Sequence, residues 1–391
     1  MVPTMKKIQT QKWVMEGNYF PEDIIGTILS KLPVKDVIRC SAVCRSWYSL
    51  VRNPTLIQTH LKNQNTAGDL HLLASRQSTD LCWINPAGSF GQCFRLEHPF
   101  YNKRNISWGK DLQSEVVGTC NGVVCIAVSS FYIDPCPPVI LWNPSIRKFG
   151  ILPSPNRAVF YRYESIKFCY DSRIDDYKVV RIVTEPGCKI EVEVWSLTRG
   201  TWKSLSNVPA DFAPFASDMA FVNGAHHWVQ HHWTREEENP VVSVVALDMA
   251  DESFRNVRIR QGSWRDFPPM ISRYHGDGDQ LWLTLFEIQG NSSFDLWVMK
   301  EYGVFDSWTK LFNVRLLGSP DEEPCIEPFG VTKSGQVVVK MGRDGELNSM
   351  QVYDPEDKQF RDFGNHGCSC YLMDSFVESL VLLDQTNVYS Y

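Results

Sequence analysis

Four histidines within seven residues are the first feature of this 391-residue chain that invites a chemical reading. His226-His227 and His231-His232 supply imidazoles, common ligands of zinc. On one uninterrupted strand, however, His226 and His232 share a face about 20 Å apart, at ~3.3 Å per residue. A hairpin would bring some of them together, but no acid or cysteine completes the three or four convergent ligands zinc requires. Packing and loop contacts are the better reading. Cys368-x-Cys370 sets two thiols on one face of an expected strand, where buried free cysteine is favoured. None of the 12 cysteines forms a C-x-x-C pair, so zinc-knuckle and thioredoxin signals are missing. No glycine-rich phosphate loop, dinucleotide fingerprint or nucleophile elbow occurs either. The sequence thus names no catalytic residue, no metal and no cofactor.

Composition narrows the classes further. With 43% hydrophobic and 12% aromatic residues the chain can bury a large core, which excludes disorder over most of its length. The net charge of −6 advertises neither nucleic acid nor an anionic membrane as partner. No apolar run has the length of a signal peptide core or of a membrane span. The expectation is a chain of the cytoplasm, the nucleus or both, with its cysteines reduced. Length alone suggests two or three ordinary domains.

The elements are of two kinds. Pro21-Glu22-Asp23 opens a helix, with Pro in the first turn and acids facing the macrodipole. Ile24, Ile25, Ile28 and Leu29 form its apolar face, and Leu32-Pro33 ends it. A second helical pattern aligns Val37, Cys40, Cys44, Trp47 and Val51 before Asn53-Pro54. Leu56, Ile57, His60 and Leu61 make a last amphipathic turn. Three short helices over residues 18–63, after a flexible stretch 1–17, cannot bury much of their own surface, so a partner on the spare apolar face is expected.

After a polar linker, 64–69, the pattern becomes short β runs. An aromatic or apolar mark recurs at Trp83, Trp142, Trp195, Leu247, Trp297 and Tyr353, spaced 59, 53, 52, 50 and 56 residues apart. A second mark follows at Phe149, Trp202, Phe254, Trp308 and Phe360, spaced 53, 52, 54 and 52. Two marks sharing a period of about 50 residues predict a β-propeller of four-stranded blades. The 322 residues from 70 to 391 divide into six blades of about 54. Residues 70–84 contain only outer-type strands, whereas Ser375 to Leu383 reads as an inner strand without outer ones. Joining the two ends completes a blade and removes exposed sheet edges. The alternative is an irregular β-sandwich.

These segments carry a resemblance. Phe20 to Ile25, Leu32 to Cys40, Val43 to Trp47 and Asn53 to Leu61 closely resemble an F-box, with Phe20 standing where the family usually has Leu. Leu141 to Ser145, Phe168 to Ser172, Asp176 to Arg181, Leu296 to Gly303 and Asp306 to Lys310 resemble the F-box-associated domain of plant F-box/kelch-type proteins. The Gly-Gly doublet of true kelch repeats is missing, so the blades are only kelch-like. The resemblance implies an F-box over 18–63 and a kelch-like propeller over 70–391. It also implies a Skp adaptor, and through it a cullin, as partners. On it, Phe20, Pro21, Ile24, Ile28, Leu32 and Pro33 would meet the adaptor, with Val43, Cys44 and Trp47 in support. Each could instead belong to the helical core. For Cys40 and Cys44 the core is the better reading, and for Trp47 both stay open.

Numbering the strands outward, the first-to-second and third-to-fourth turns use stereotyped residues such as Asn121-Gly122, Asn223-Gly224 and Ser334-Gly335. The remaining connections are longer and richer in aromatics and arginine. Such loops on a rigid scaffold are where binding resides. Arg157, Tyr161, Arg162, Trp264 and Arg265 are therefore the candidates for holding a protein target, with plain loop packing as the alternative. Two functions follow: a non-catalytic receptor that presents a target to a ubiquitin ligase, or a propeller enzyme, oxidase or carbohydrate-active, with a helical docking module. An enzyme would need convergent acids or ligands at the propeller mouth, and none can be assembled from the sequence.

Overall fold

The structure is a computed structural model. It describes residues 21–65, 70–75, 81–84, 94–96, 113–129, 138–155, 163–184, 190–212, 219–232, 241–259, 269–276, 280–316, 324–343, 346–362, 370–382 and 389–390. Four helices come first: α1 (Glu22–Leu29), α2 (Val34–Cys40), α3 (Arg45–Val51) and α4 (Pro54–Asn65). The expected count of three is thus corrected, because the second pattern is two helices. Ser41 donates its hydroxyl to the Ile38 carbonyl (2.7 Å), and Cys44 is extended at φ −159°, ψ 169°. A side chain bonded to its own backbone competes with helix continuation. The two ends of the stripe, Val37 and Val51, are fully buried, whereas Cys44 in the break is exposed. Helix α4 begins at Pro54, with Asn53 Oδ1 accepting from the Thr55 amide (2.9 Å), and runs two residues into the expected linker.

The strands pair in antiparallel sheets, read here from first strand to fourth. β1 (Leu70–Ser75), β2 (Leu81–Ile84) and β3 (Phe94–Leu96) belong to a sheet that the chain finishes only at its far end. Four consecutive strands make each of the next sheets. These are β4 (Gln113–Cys120), β5 (Val123–Ser129), β6 (Val139–Asn143) and β7 (Lys148–Ile151); then β8 (Tyr163–Asp171), β9 (Asp176–Thr184), β10 (Glu191–Ser196) and β11 (Trp202–Ser204). β12 (Met219–Val222), β13 (Ala225–His232), β14 (Val241–Asp248) and β15 (Ser253–Val257) follow, then β16 (Met270–His275), β17 (Leu281–Gln289), β18 (Ser293–Met299) and β19 (Trp308–Arg315). The last full set is β20 (Pro324–Val331), β21 (Val337–Arg343), β22 (Glu346–Asp354) and β23 (Gln359–Asp362). β24 (Cys370–Phe376) pairs with β1 to give the order β24-β1-β2-β3, and β25 (Tyr389–Ser390) adds a fifth strand outside β7. Among the described residues this makes five four-stranded sheets and one of five. Neighbouring first strands pack together, β24 on β4, β4 on β8, β12 on β16 and β16 on β20, as in a propeller.

The recurrent sequence marks have a structural meaning. The first lies on the third strand of its sheet and the second on the fourth. They are cross-strand partners in Trp142–Phe149, Trp195–Trp202, Leu247–Phe254 and Tyr353–Phe360. Such pairs are the unit of sheet stabilisation. In β18 a register shift at Leu296/Trp297 sets Trp297 opposite Lys310, and Trp308 pairs with Met299. The closing strand also differs from expectation. It is Cys370–Phe376 rather than 375–383, and residues 377–382 leave the sheet although their apolar run resembles a strand.

Candidate functional site

Antiparallel order puts all first-to-second and third-to-fourth turns on one face of the ring, the turn face. The third strand begins, and each new first strand starts, on the opposite or loop face. Asn121-Gly122 and Asn223-Gly224 are tight turns with φ of 51° and 77°, and 51° and 74°. Positive φ at both central residues is the geometry that Asn-Gly favours in two-residue hairpins.

The helices sit on the turn face. α2 packs on the 3-10 turn Pro144–Ile146 between β6 and β7, and Gln58 Nε2 donates to Asp175 Oδ2 (2.7 Å) in the β8–β9 turn. One continuous hydrophobic cluster joins Leu29, Val34, Val37 and Val51 of the helices to Val123, Leu141 and Trp195 of the strands. Within the helices, α4 holds the end of α1. His60 Nε2 contacts the Leu32 carbonyl (2.9 Å), and Asn63 Nδ2 donates to the Ser30 carbonyl (3.0 Å). Burial lowers the His60 pKa, which keeps that ring neutral.

Against this packing, some apolar side chains stay outside. Ile24 is 46% exposed, Ile28 52% and Val43 66%. Ile24 and Ile28 are four residues apart and share one face of α1. Pro21, Pro33 and Cys44 are exposed as well. Cys44 therefore departs from the preferred core reading, while Cys40 keeps to it, half-buried against the cluster. Leu32 and Trp47 are half-buried against the same cluster, each keeping part of its surface accessible. Phe20 lies outside the described residues. Sequence reasoning missed Tyr48, exposed on α3 with the Arg52 guanidinium 3.5 Å above its ring. Its position, one residue past Trp47 and off the buried stripe, was the available signal.

All five loop candidates, Arg157, Tyr161, Arg162, Trp264 and Arg265, lie outside the described residues, as does Cys368. The strands that carry these loops are firmly held. Arg181 of β9 is buried between Glu164 and Glu193, with Nη1 2.6 Å from Glu193 Oε2. Lys178 Nζ (3.0 Å), Arg199 (3.2 Å) and Lys203 (2.6 Å) converge on Glu252 of the next sheet. Burial alone would raise the Glu252 pKa, but these cations, Lys203 and Lys178 foremost, bring it down to about 2. Arg173 bridges Asp171 and Asp248 (2.6 and 2.9 Å) across the same boundary. Arg273 of β16 pairs with Asp374 of β24, which also accepts from the Thr119 amide (2.8 Å) of β4. Three first strands are thereby tied together.

The histidine run is a single strand, so its spread along β13 stands. His226 and His227 are fully buried, His226 beside the rings of Phe221 and Trp228, and His227 Nε2 2.7 Å from the Tyr302 hydroxyl. Among the described residues no three His, Cys, Asp or Glu side chains gather where a metal ion would need them.

A small helical unit with outward apolar residues, fused to a propeller of four-stranded sheets, defines the class, and comparison with known proteins gives the family. Residues 19–59 match the F-box domain, and residues 93–385 match the F-box associated beta propeller domain. The chain belongs to the F-box proteins that carry this propeller. It is similar to F-box protein CPR1 of Arabidopsis thaliana, 28% identical with 93% of this chain and 88% of that one covered. F-box/kelch-repeat protein At3g23880 of the same plant is 25% identical, covering 86% of this chain and 89% of its own. F-box protein At4g22390, also from Arabidopsis thaliana, is 24% identical over 93% and 90%.

Proposed function

We propose that this chain is the target-recognition subunit of a Skp–cullin–F-box ubiquitin ligase. Its F-box docks on the Skp adaptor and through it on a cullin. Its propeller, read as six blades with one for each sheet, holds a protein target on the loop face for ubiquitination and degradation. The observation that carries this reading is the contrast within the F-box. Val34, Val37, Val51, Leu56 and Ile57 are sunk in a core shared with the propeller, yet Ile24, Ile28 and Val43 face outward. Outward aliphatic side chains on a unit already packed on one side suit a protein partner. The chain itself is non-catalytic in this reading. It accelerates transfer by raising the effective concentration of target near the ubiquitin donor, while another subunit does the chemistry. The work belongs to the cytoplasm or nucleus. Arg157, Tyr161, Arg162, Trp264 and Arg265 are the first target-contacting candidates on the loop face.

Capture of purified Skp adaptor by the full chain tests the reading. Wild type should bind. Ile24→Asp combined with Ile28→Asp should weaken binding at least 100-fold with the thermal melt unchanged, because two buried apolar contacts become buried charges. Equal capture by both chains, or none by wild type, overturns it.

A further inference from the structure

Residues 377–382 follow the inner strand β24 onto the turn face, heading for the outer edge of sheet β4–β7, where Tyr389–Ser390 pairs with β7. They form no strand, yet Ser379 and Leu380 are completely buried, and Val381 and Leu382 nearly so. Two features of sheet β4–β7 fit them closely. The buried Asn143 donates from Nδ2 to the Ser379 carbonyl (3.1 Å) and the Val381 carbonyl (2.8 Å). Gly122, at φ 77°, leaves no room for a side chain, since a Cβ there would stand 2.4 Å from the Val377 carbonyl oxygen. Leu382 itself adopts a left-handed φ of 73°, which a leucine holds only when its surroundings demand it. Leu380, Val381 and Leu382 belong to the same hydrophobic cluster as Leu29, Val34 and Val37 of the F-box and Val123 and Leu141 of the sheet.

We infer that residues 377–382 are a strap that locks the F-box onto the turn face. The strap, not the connection after Asn65, fixes the orientation of adaptor-facing residues relative to the loop face. A short tether alone leaves two domains free to reorient, whereas a continuous apolar interface does not. The strap is held from below by Asn143 and Gly122, and its aliphatic side chains share one core with the F-box. Its functional weight rests on the receptor reading: a locked F-box holds adaptor and target at one separation.

Native-state hydrogen exchange on the full chain tests the lock directly. In wild type the amides of α2 should exchange as slowly as those of β5 and β6. Faster opening of α2 than of the sheet overturns the strap without any substitution. Asn143→Ala, which leaves two buried carbonyls unmet, should speed exchange in α2 at least tenfold and split one thermal transition into two. Leu380→Ala should act in the same direction, and unchanged α2 exchange in both variants overturns the inference. Skp adaptor capture by wild type and Asn143→Ala separates the two ideas. Both should bind, since Ile24, Ile28 and Val43 are untouched. Failure of wild type to capture adaptor sinks the receptor reading, whereas only the exchange data bear on the strap.

Discussion

At the scale of single residues, His226 and His227, two of the histidines that invited a metal reading, act as buried neutral rings. Neighbouring strand positions point to opposite faces, so His226 and His227 were never able to converge. That much was legible in the spacing, but their burial was not, because it depends on the neighbouring sheets. Burial, then Lys167 and His227, lowers the His226 pKa from 6.5 to about 3, and burial lowers that of His227 to about 4. The unfolded chain therefore takes up protons below pH 6.5 that the folded chain refuses. Stability from both is complete above pH 6.5 and falls as pH drops toward 4 and then 3. We expect Tm to decline over that range and His226→Phe to flatten the decline, as followed by thermal melts at a series of pH values. Arg181 makes a different case. Removing its charge in Arg181→Met strands Glu164 and Glu193, and loss of one partner of a buried pair costs about 3–5 kcal/mol. Chemical denaturation should show that loss, and adding Glu164→Gln and Glu193→Gln should recover most of it. Sequence placed Arg181 within a matching motif and gave no sign of the two carboxylates beside it.

Elements show where pattern reading succeeds and where it stops. The marks on third and fourth strands were visible because in four of the sheets they are cross-strand partners. In the β16–β19 sheet the two marks stand 11 residues apart rather than 7, a signal that they are not partners. The pairing of Trp297 with Lys310 across the register shift could not be read from it. The helix break at Ser41–Cys44 escaped because the apolar spacing of the sequence runs straight through it, although Cys44 itself is exposed. Residues 377–382 escaped for the reverse reason, as an apolar run that buries outside any strand looks like one that buries in a sheet. The loop-face candidates remain a matter of sequence alone. Turn chemistry was read correctly and can be tested at Gly224. A Cβ there would lie 2.3 Å from the Arg173 guanidinium, on a residue at φ 74°. Gly224→Ala should cost about 1–2 kcal/mol from the left-handed backbone alone. Denaturant midpoints should show that Arg173→Ala added to it fails to restore stability, because the backbone strain remains and the bridge to Asp248 is gone.

For the whole molecule, the governing fact is closure of one sheet from two distant segments. β24 lines the inside of the sheet whose other strands, β1 to β3, directly follow the F-box. A chain shortened to residue 369 loses that strand, the Arg273–Asp374 tie and the strap together. It should leave the β1 edge unpaired and run as aggregate in size-exclusion chromatography, whereas removal of residues 389–391 alone should leave a monomeric ring. The order of strands also sets a schedule for biosynthesis. The F-box emerges from the ribosome before the propeller, but the seat beneath it is complete only when residues near 380 have been translated. Until then the nascent chain has its F-box and no finished platform to hold it. Chain order thus works as a completeness check, in which a prematurely terminated product cannot assemble the geometry that joins its two ends.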